Sequence, residues 1–170
     1  MSDTQKVAKS WNNIAQKYDM YRNHDKIDGE LQKFVNMLPP QGKVLDAGSG
    51  SGIPAAKFLS DAGMNVTGID VSDTFLEMAR KNVPGANFEK MDLLDITFQN
   101  ESFDGIISVF TLWHVDRENH ASIFKRFHEL LKKSGILVIN QGAAGFDGWS
   151  DFFGKPMLWS NYKPEKTLQI

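Results

Sequence analysis

An apolar run, Lys43-Val44-Leu45-Asp46-Ala47, empties into Gly48-Ser49-Gly50-Ser51-Gly52, and a helix-forming stretch begins near Pro54. Glycines at alternate positions let the backbone take left-handed angles and let another group approach closely. A helix start adds N–H groups that have no partner within the helix. A strand, a glycine turn and a helix in this order confine the chain to a sheet whose strands are joined by helices. They also mark a place for a nucleotide-like ligand, the alternative being a purely structural turn.

The surrounding pattern extends this unit. Apolar strand-like runs fall at 43–47, 65–71, 86–91, 103–110 and 136–140. Helical stretches lie between them: 54–62, one capped by Ser72 and Asp73 before Phe75, Met78 and Ala79, and 117–132. The last buries Ile123, Phe124, Phe127, Leu130 and Leu131 on one side and is expected to stop at Gly135. Strands alternating with helices predict an α/β three-layer, Rossmann-like sandwich, with a mostly parallel sheet of five strands and right-handed crossovers. Residues 93–102 are too few for a crossover helix, so a turn or loop is expected there. Residues 1–42 read as a helical lead-in. Val7, Trp11, Ile14, Ala15 and Tyr18 recur at helical spacing, as do Leu31, Phe34, Val35 and Leu38. Pro39, Pro40 and Gly42 end it. Residues 43–141 form the expected core. Residues 142–170, rich in glycine and large aromatics, read as an irregular segment that packs beside the fifth strand or contacts another chain.

Composition narrows the function. The 170 residues carry a formal net charge of -2, which does not favour a nucleic-acid surface. There is no cysteine, which excludes disulfides, thiolate metal sites and cysteine nucleophiles. The four histidines show no metal-ligand spacing, so no metal is expected. No stretch approaches the roughly 20 apolar residues that span a bilayer, and the first thirteen have no apolar signal core. A cytoplasmic protein, monomeric or weakly dimeric, is expected.

Three carboxylates refine the ligand. A dinucleotide turn wants G-x-G-x-x-G; Gly48 and Gly50 fit, but Ile53 holds the third place and Gly52 is one residue early. No Gly-Lys-Ser or Gly-Lys-Thr follows, so this is not a P-loop. Asp46 would crowd a pyrophosphate, whereas it suits a cationic amino-acid group. Asp70, at the end of the second strand, can accept from two ribose hydroxyls, or cap the next helix. Asp92, after the third strand, can accept from an adenine amine, or cap a turn.

With these features in place, the chain resembles the class I S-adenosylmethionine-dependent methyltransferases, in particular their small-molecule group. The resemblance rests on VLDAGSGSG (44–52), VTGIDVS (66–72), NFEKMDLLD (87–95), FDGIISVFTLWHV (103–115) and LLKKSGILVI (130–139). It implies S-adenosylmethionine as cofactor, S-adenosylhomocysteine as product and a small-molecule methyl acceptor. It places Asp46, Gly48, Ser49, Gly50 and Gly52 around the methionine portion, and Asp70 on the ribose with Val71 beside the adenine. It places Asp92 and Leu93 on the base, and Phe110 and Thr111 under the sulfonium. It also implies a seven-stranded sheet ending in an antiparallel hairpin, of which five strands are evident here and the final hairpin is not.

Methyl transfer mainly requires two centres to be aligned and water to be excluded, with a base only where the acceptor must lose a proton. His114, after the fourth strand, is the candidate base, with a structural role as its alternative; His24 is a second candidate. His120 and His128 read as surface residues. In related methyltransferases the N-terminal segment closes over the cofactor, which puts Tyr21 at its methionine end and Arg22 at its carboxylate. Tyr18 and Trp11 read as packing residues. Trp149 and Trp159 fit an acceptor pocket, a sheet edge or an interface. An NAD-dependent oxidoreductase and a non-catalytic cofactor sensor are the competing readings.

Overall fold

The computed structural model describes residues 1–22 and 27–170, so His24 lies outside the described residues. At the centre are β1 (Lys43–Ala47), β2 (Asn65–Asp70), β3 (Asn87–Lys90), β4 (Phe103–Ser108) and β5 (Leu131–Ile139). They form one sheet in the order β3-β2-β1-β4-β5, with every neighbour parallel. After β3 the chain crosses back to the far side of β1. The resulting switch point between β1 and β4 leaves a crevice at the carboxyl ends of the strands.

Side chains alternate across the sheet with the period of two that a strand imposes. Val44, Val66, Phe88 and Ile107 pack under α2 (Asp28–Met37), α3 (Ala55–Asp61) and α4 (Asp73–Asn82). Leu45, Ala47, Ile69 and Ile106 pack on the other face, under α5 (His120–Leu130). This is the expected three-layer sandwich. The segment between β3 and β4 is a loop, as expected.

The boundaries around the last crossover helix differ most from the reading. The helix expected to run to Lys132 and stop at Gly135 ends at Leu130, and β5 starts at the next residue. Leu131 pairs with Phe103, Ile136 pairs with Gly105, and the register shifts between them. The four residues 132–135 are a bulge. Lys132 Nζ reaches both oxygens of Asp104 at 2.9 Å, and Ser134 takes a left-handed φ of 66°.

The N-terminal helix α1 (Asp3–Tyr21) opens with a capping box. Gln5 N–H donates to Ser2 Oγ at 3.2 Å, and Ser2 N–H donates to Gln5 Oε1 at 3.0 Å. Its apolar stripe does not join either main core. Val7, Trp11, Ile14 and Ala15 form a third cluster with Phe75 of α4 and with Met157 and Leu158.

Met157 and Leu158 belong to the segment expected to be irregular. Instead it forms an antiparallel hairpin of β6 (Phe146–Phe152) and β7 (Lys155–Asn161), followed by the short α6 (Pro164–Thr167). Both central turn residues have positive φ, Phe153 at 55° and Gly154 at 82°, the geometry that a two-residue hairpin turn requires. Nor does the hairpin pack beside β5. It is a separate two-stranded sheet whose β7 lies against α1 and residues 112–114. Ser10 Oγ donates to Pro156 O at 2.6 Å, across 146 residues of sequence. The central sheet thus has five parallel strands, without a terminal antiparallel pair, and β5 is its edge.

Candidate functional site

The carboxyl ends of β1, β2 and β4 and the segment after β3 open on one cleft of about 730 Å³, mouth included. Its floor is the glycine turn. Gly48 has φ +87°, and a Cβ there would lie 2.1 Å from Thr111 Cγ2, so a side chain is excluded on both counts. Thr111 Oγ1 donates to Gly48 O at 3.2 Å. Gly50, with φ +53°, turns its N–H towards Asp70 Oδ2 at 2.9 Å. Ser72 N–H donates to Asp70 Oδ1 at 2.8 Å. Each oxygen of Asp70 keeps a second lone pair. Burial pushes this carboxyl above its ordinary value, against the pull of those backbone N–H groups.

Asp92 lines the same cleft with Leu93. Its Oδ1 accepts from Leu94 N–H at 3.0 Å, so it also caps the turn that follows β3. Val71, Phe110 and Thr111 complete the walls from β2 and β4. Phe110 sits in the left-handed region at φ 60°, and its N–H donates to Asn140 Oδ1 at 2.7 Å. That bond from the end of β5 fixes how the chain leaves β4.

The roof is α1. Val7, Trp11 and Tyr18 face the cleft, and Arg22 enters it as the chain leaves the helix. The Arg22 guanidinium lies 4.8 Å from the Phe110 ring centroid and 5.9 Å from that of Tyr18, and Nη1 donates to Ile53 O at 3.3 Å. Ser51 Oγ donates to Asp19 Oδ1 at 2.5 Å, which ties the roof to the glycine turn. Asn12 Oδ1 accepts from Ser72 Oγ at 2.8 Å and from Thr74 N–H at 3.2 Å, which ties it to the start of α4.

Four expected site residues lie off the cleft wall. Tyr21 is 73% exposed and its ring approaches Phe153, while Tyr18, expected to be packing alone, both packs and lines the cleft. The reason is helical phase: position 18 continues the stripe of 7, 11, 14 and 15, and position 21 falls beyond it. Ser49 is buried, and Gly52 faces Val83 and Phe88 between α4 and β3. Asp46 is buried behind the turn. Its Oδ2 has no hydrogen-bond partner, and its carboxyl is pushed up to about 7 by burial and by the Asp70 charge, against Arg22 and the Ala56 N–H.

His114 lines the cleft, but both ring nitrogens are engaged. Trp113 Nε1–H donates to Nε2 at 3.0 Å, which leaves Nδ1–H to donate to Leu158 O at 2.8 Å. Burial pulls its pKa down to about 4, against the Leu158 bond. The expectation of a base here is therefore corrected: the imidazole is neutral, and its one lone pair is already taken. His120, expected at the surface, is buried, with Nε2 at 2.9 Å from Leu112 O. Trp159 packs on the His114 ring at 4.6 Å, whereas Trp149 stays partly exposed under Lys6. Among the described residues no three His, Asp or Glu side chains gather to hold a metal.

Sequence reasoning missed Asn12, Asp19 and Asn140. The first two lie seven residues apart, two turns of α1 beside its apolar stripe, and polar residues so spaced are a readable signal. Asn140 carried none beyond its place at the end of a strand.

A parallel sheet with a glycine turn after its central strand, and carboxylates after the next two, defines an adenosine-type cofactor site at a switch point. Comparison with known proteins carries this further. A methyltransferase-domain family model matches residues 45–139. The chain belongs to the class I S-adenosylmethionine-dependent methyltransferase family. It is 31% identical to an uncharacterized methyltransferase from Oceanobacillus iheyensis, over 73% of this chain and 55% of that one. It is 33% identical to the phosphoethanolamine N-methyltransferase of Plasmodium falciparum, over 68% of this chain and 45% of that one. The structure of a TehB-like SAM-dependent methyltransferase from Corynebacterium glutamicum superposes with a TM-score of 0.63 at 26% identity, covering 82% of this chain and 73% of that one. The chain spans about half the length of these curated relatives. Among the described residues, no helix is long and apolar enough to cross a membrane.

Proposed function

We propose that this protein binds S-adenosylmethionine in the cleft and passes its methyl group to a small-molecule acceptor, leaving S-adenosylhomocysteine. The observation that carries the reading is the convergence of Asp70, Asp92 and the glycine turn on one cleft. The donor set fits the group. Asp70 has lone pairs left for two ribose hydroxyls, and Asp92 can take the adenine amine between Val71 and Leu93. Asp46 stays behind the cleft wall, and Arg22, which enters the cleft, suits a carboxylate. Phe110 and Thr111, on the cleft wall beside the glycine turn, suit the sulfur end. Ile53 in the third glycine place and the carboxyl of Asp46 behind the turn suit a dinucleotide's pyrophosphate poorly, which disfavours an NAD enzyme.

The cofactor supplies an electrophilic methyl carbon on a positively charged sulfur. The chain's own part is to orient that end on the glycine turn and to keep water away with α1 and the hairpin behind it. His114 acts in this scheme by positioning, joining residues 112–114 to β7. A base is dispensable for an acceptor that attacks in its deprotonated form. A cytoplasmic location agrees with the cysteine-free composition. Calorimetry tests the reading: S-adenosylmethionine and S-adenosylhomocysteine should bind, and NAD much more weakly. Tight NAD binding with neither sulfur compound bound would overturn it.

A further inference from the structure

We propose that Asn140 is a positioning residue for the cofactor's carboxylate end, acting through Phe110 on Arg22. The proposal rests on the proposed cofactor reading and adds to it a residue that does not itself line the cleft. Among the described residues, five that are not glycine take left-handed backbone angles: Gln41, Glu101, Phe110, Ser134 and Phe153. Of these, Phe110 alone lines the cleft. A bulky residue in that region is strained, and the conformation persists only where the surroundings enforce it.

The enforcing group comes from the neighbouring strand. Asn140 directly follows β5, and its Oδ1 accepts from Phe110 N–H at 2.7 Å. Its own N–H donates to Ser108 O at 3.4 Å. Ser108 Oγ in turn donates to Ala47 O at 2.7 Å inside the core. One residue thereby spans the exit of β4 and holds the chain on both sides of Val109. The strain sets a direction. At φ 60° the Phe110 ring centroid lies 4.8 Å from the Arg22 guanidinium and 5.9 Å from the Trp113 ring. Arg22 is otherwise steadied by the Tyr18 ring at 5.9 Å and by the bond of 3.3 Å from Nη1 to Ile53 O. A guanidinium meets a carboxylate best through two parallel bonds, which demand a fixed plane, and an aromatic face supplies one. Without the Asn140 oxygen, residue 110 relaxes towards ordinary angles and takes its ring off Arg22.

Calorimetry on the whole chain with two ligands separates positioning from mere support of the fold. S-adenosylhomocysteine carries the amino-acid group; methylthioadenosine keeps the adenosine and sulfur but lacks it. Asn140→Ala should weaken S-adenosylhomocysteine binding about fivefold, the net worth of one hydrogen bond, and change methylthioadenosine binding by less than about twofold. Asn140→Asp keeps an accepting oxygen and should hold both affinities within about twofold of the unaltered chain. Phe110→Gly should lose S-adenosylhomocysteine selectively, because the ring under Arg22 is gone. In that background Asn140→Ala should add less than about twofold, since glycine takes the left-handed angle unaided. Equal losses of both ligands in Asn140→Ala, or no loss of either, would overturn the proposal and leave the cofactor reading intact. A further loss on adding Asn140→Ala to Phe110→Gly would also overturn it, because the residue would then act by another route. Should Asn140→Ala not fold, a selective loss in Asn140→Asp, or equal losses of both ligands in Phe110→Gly, would overturn it as well. Failure of both ligands to bind the unaltered chain would overturn the cofactor reading, and the proposal with it.

Discussion

Asp70 and Asp92 occupy equivalent places after consecutive strands, yet their surroundings differ. Both Asp70 oxygens are oriented by backbone N–H groups, and one of those N–H groups belongs to the glycine turn. An amide in its place presents one oxygen and one NH2, so it loses an acceptor and meets a backbone donor with a donor. Asp70→Asn should weaken S-adenosylhomocysteine binding by about 1–3 kcal/mol. Asp92 receives one backbone N–H, so Asp92→Asn should cost less. Titration calorimetry on folded variants decides the order, and a larger loss at Asp92 would invert it. At this scale the sequence was readable where chemistry requires a residue type at the end of a strand. It was unreadable where a role depends on which partner arrives. His114 shows the limit: nothing in residues 110–115 reveals that a carbonyl at position 158 holds one ring nitrogen.

The elements follow the same division. The five strands and the helices between them were legible because strands buried on both faces, as β1 and β4 are, read as near-continuous apolar runs, while the helices bury a stripe at helical spacing. The hairpin was hidden because its turn is Phe153-Gly154, with a bulky residue in the left-handed region, rather than Asn-Gly. Its alternation is also blurred, since β7 is buried at consecutive positions Met157 and Leu158. The bulge at 132–135 extended a helical pattern past its end for a comparable reason: Lys132 is held by Asp104, distant in sequence. The roof of α1 and the hairpin depends on Trp11, whose ring lies 5.0–5.9 Å from those of Tyr18, Phe75, His114 and Phe152. Trp11→Ala should cost about 3–5 kcal/mol in urea unfolding, as large buried aromatics do. Tyr21→Ala, three turns further on and exposed, should change stability by less than about 0.5 kcal/mol. Equal losses would show that the roof does not turn on Trp11.

Across the whole molecule, two buried groups set opposing pH dependences. The His114 pKa in the fold, about 4, lies below its ordinary value of about 6.5. The unfolded chain therefore binds the extra proton, and the stability from neutral His114 is full above about 6.5 and lost as pH falls towards 4. Asp46 runs the other way. Its carboxyl is raised to about 7, so its contribution is full below its unfolded value of about 3.9 and lost as pH rises through 7. Asp70, raised, and His120, lowered, reinforce the two directions. Between pH 4.5 and 6.5 the slopes largely cancel, each about 1.4 kcal/mol per pH unit for a full proton. Asp46→Asn should unmask the histidine slope, with the variant gaining stability from pH 4.5 to 6.5 while the parent stays nearly level. Urea midpoints at the two pH values check this; parallel behaviour would remove Asp46 from the balance. The bond from Ser10 to the Pro156 carbonyl has a further consequence for how the chain is made. The roof joins α1 to β7, so everything from Ser10 to Pro156, 146 residues on, must leave the ribosome before the cleft can close. Until then the parallel core folds with its carboxyl ends open and Trp11 without its partners from the hairpin. Cofactor present during synthesis would meet the floor first and the roof last.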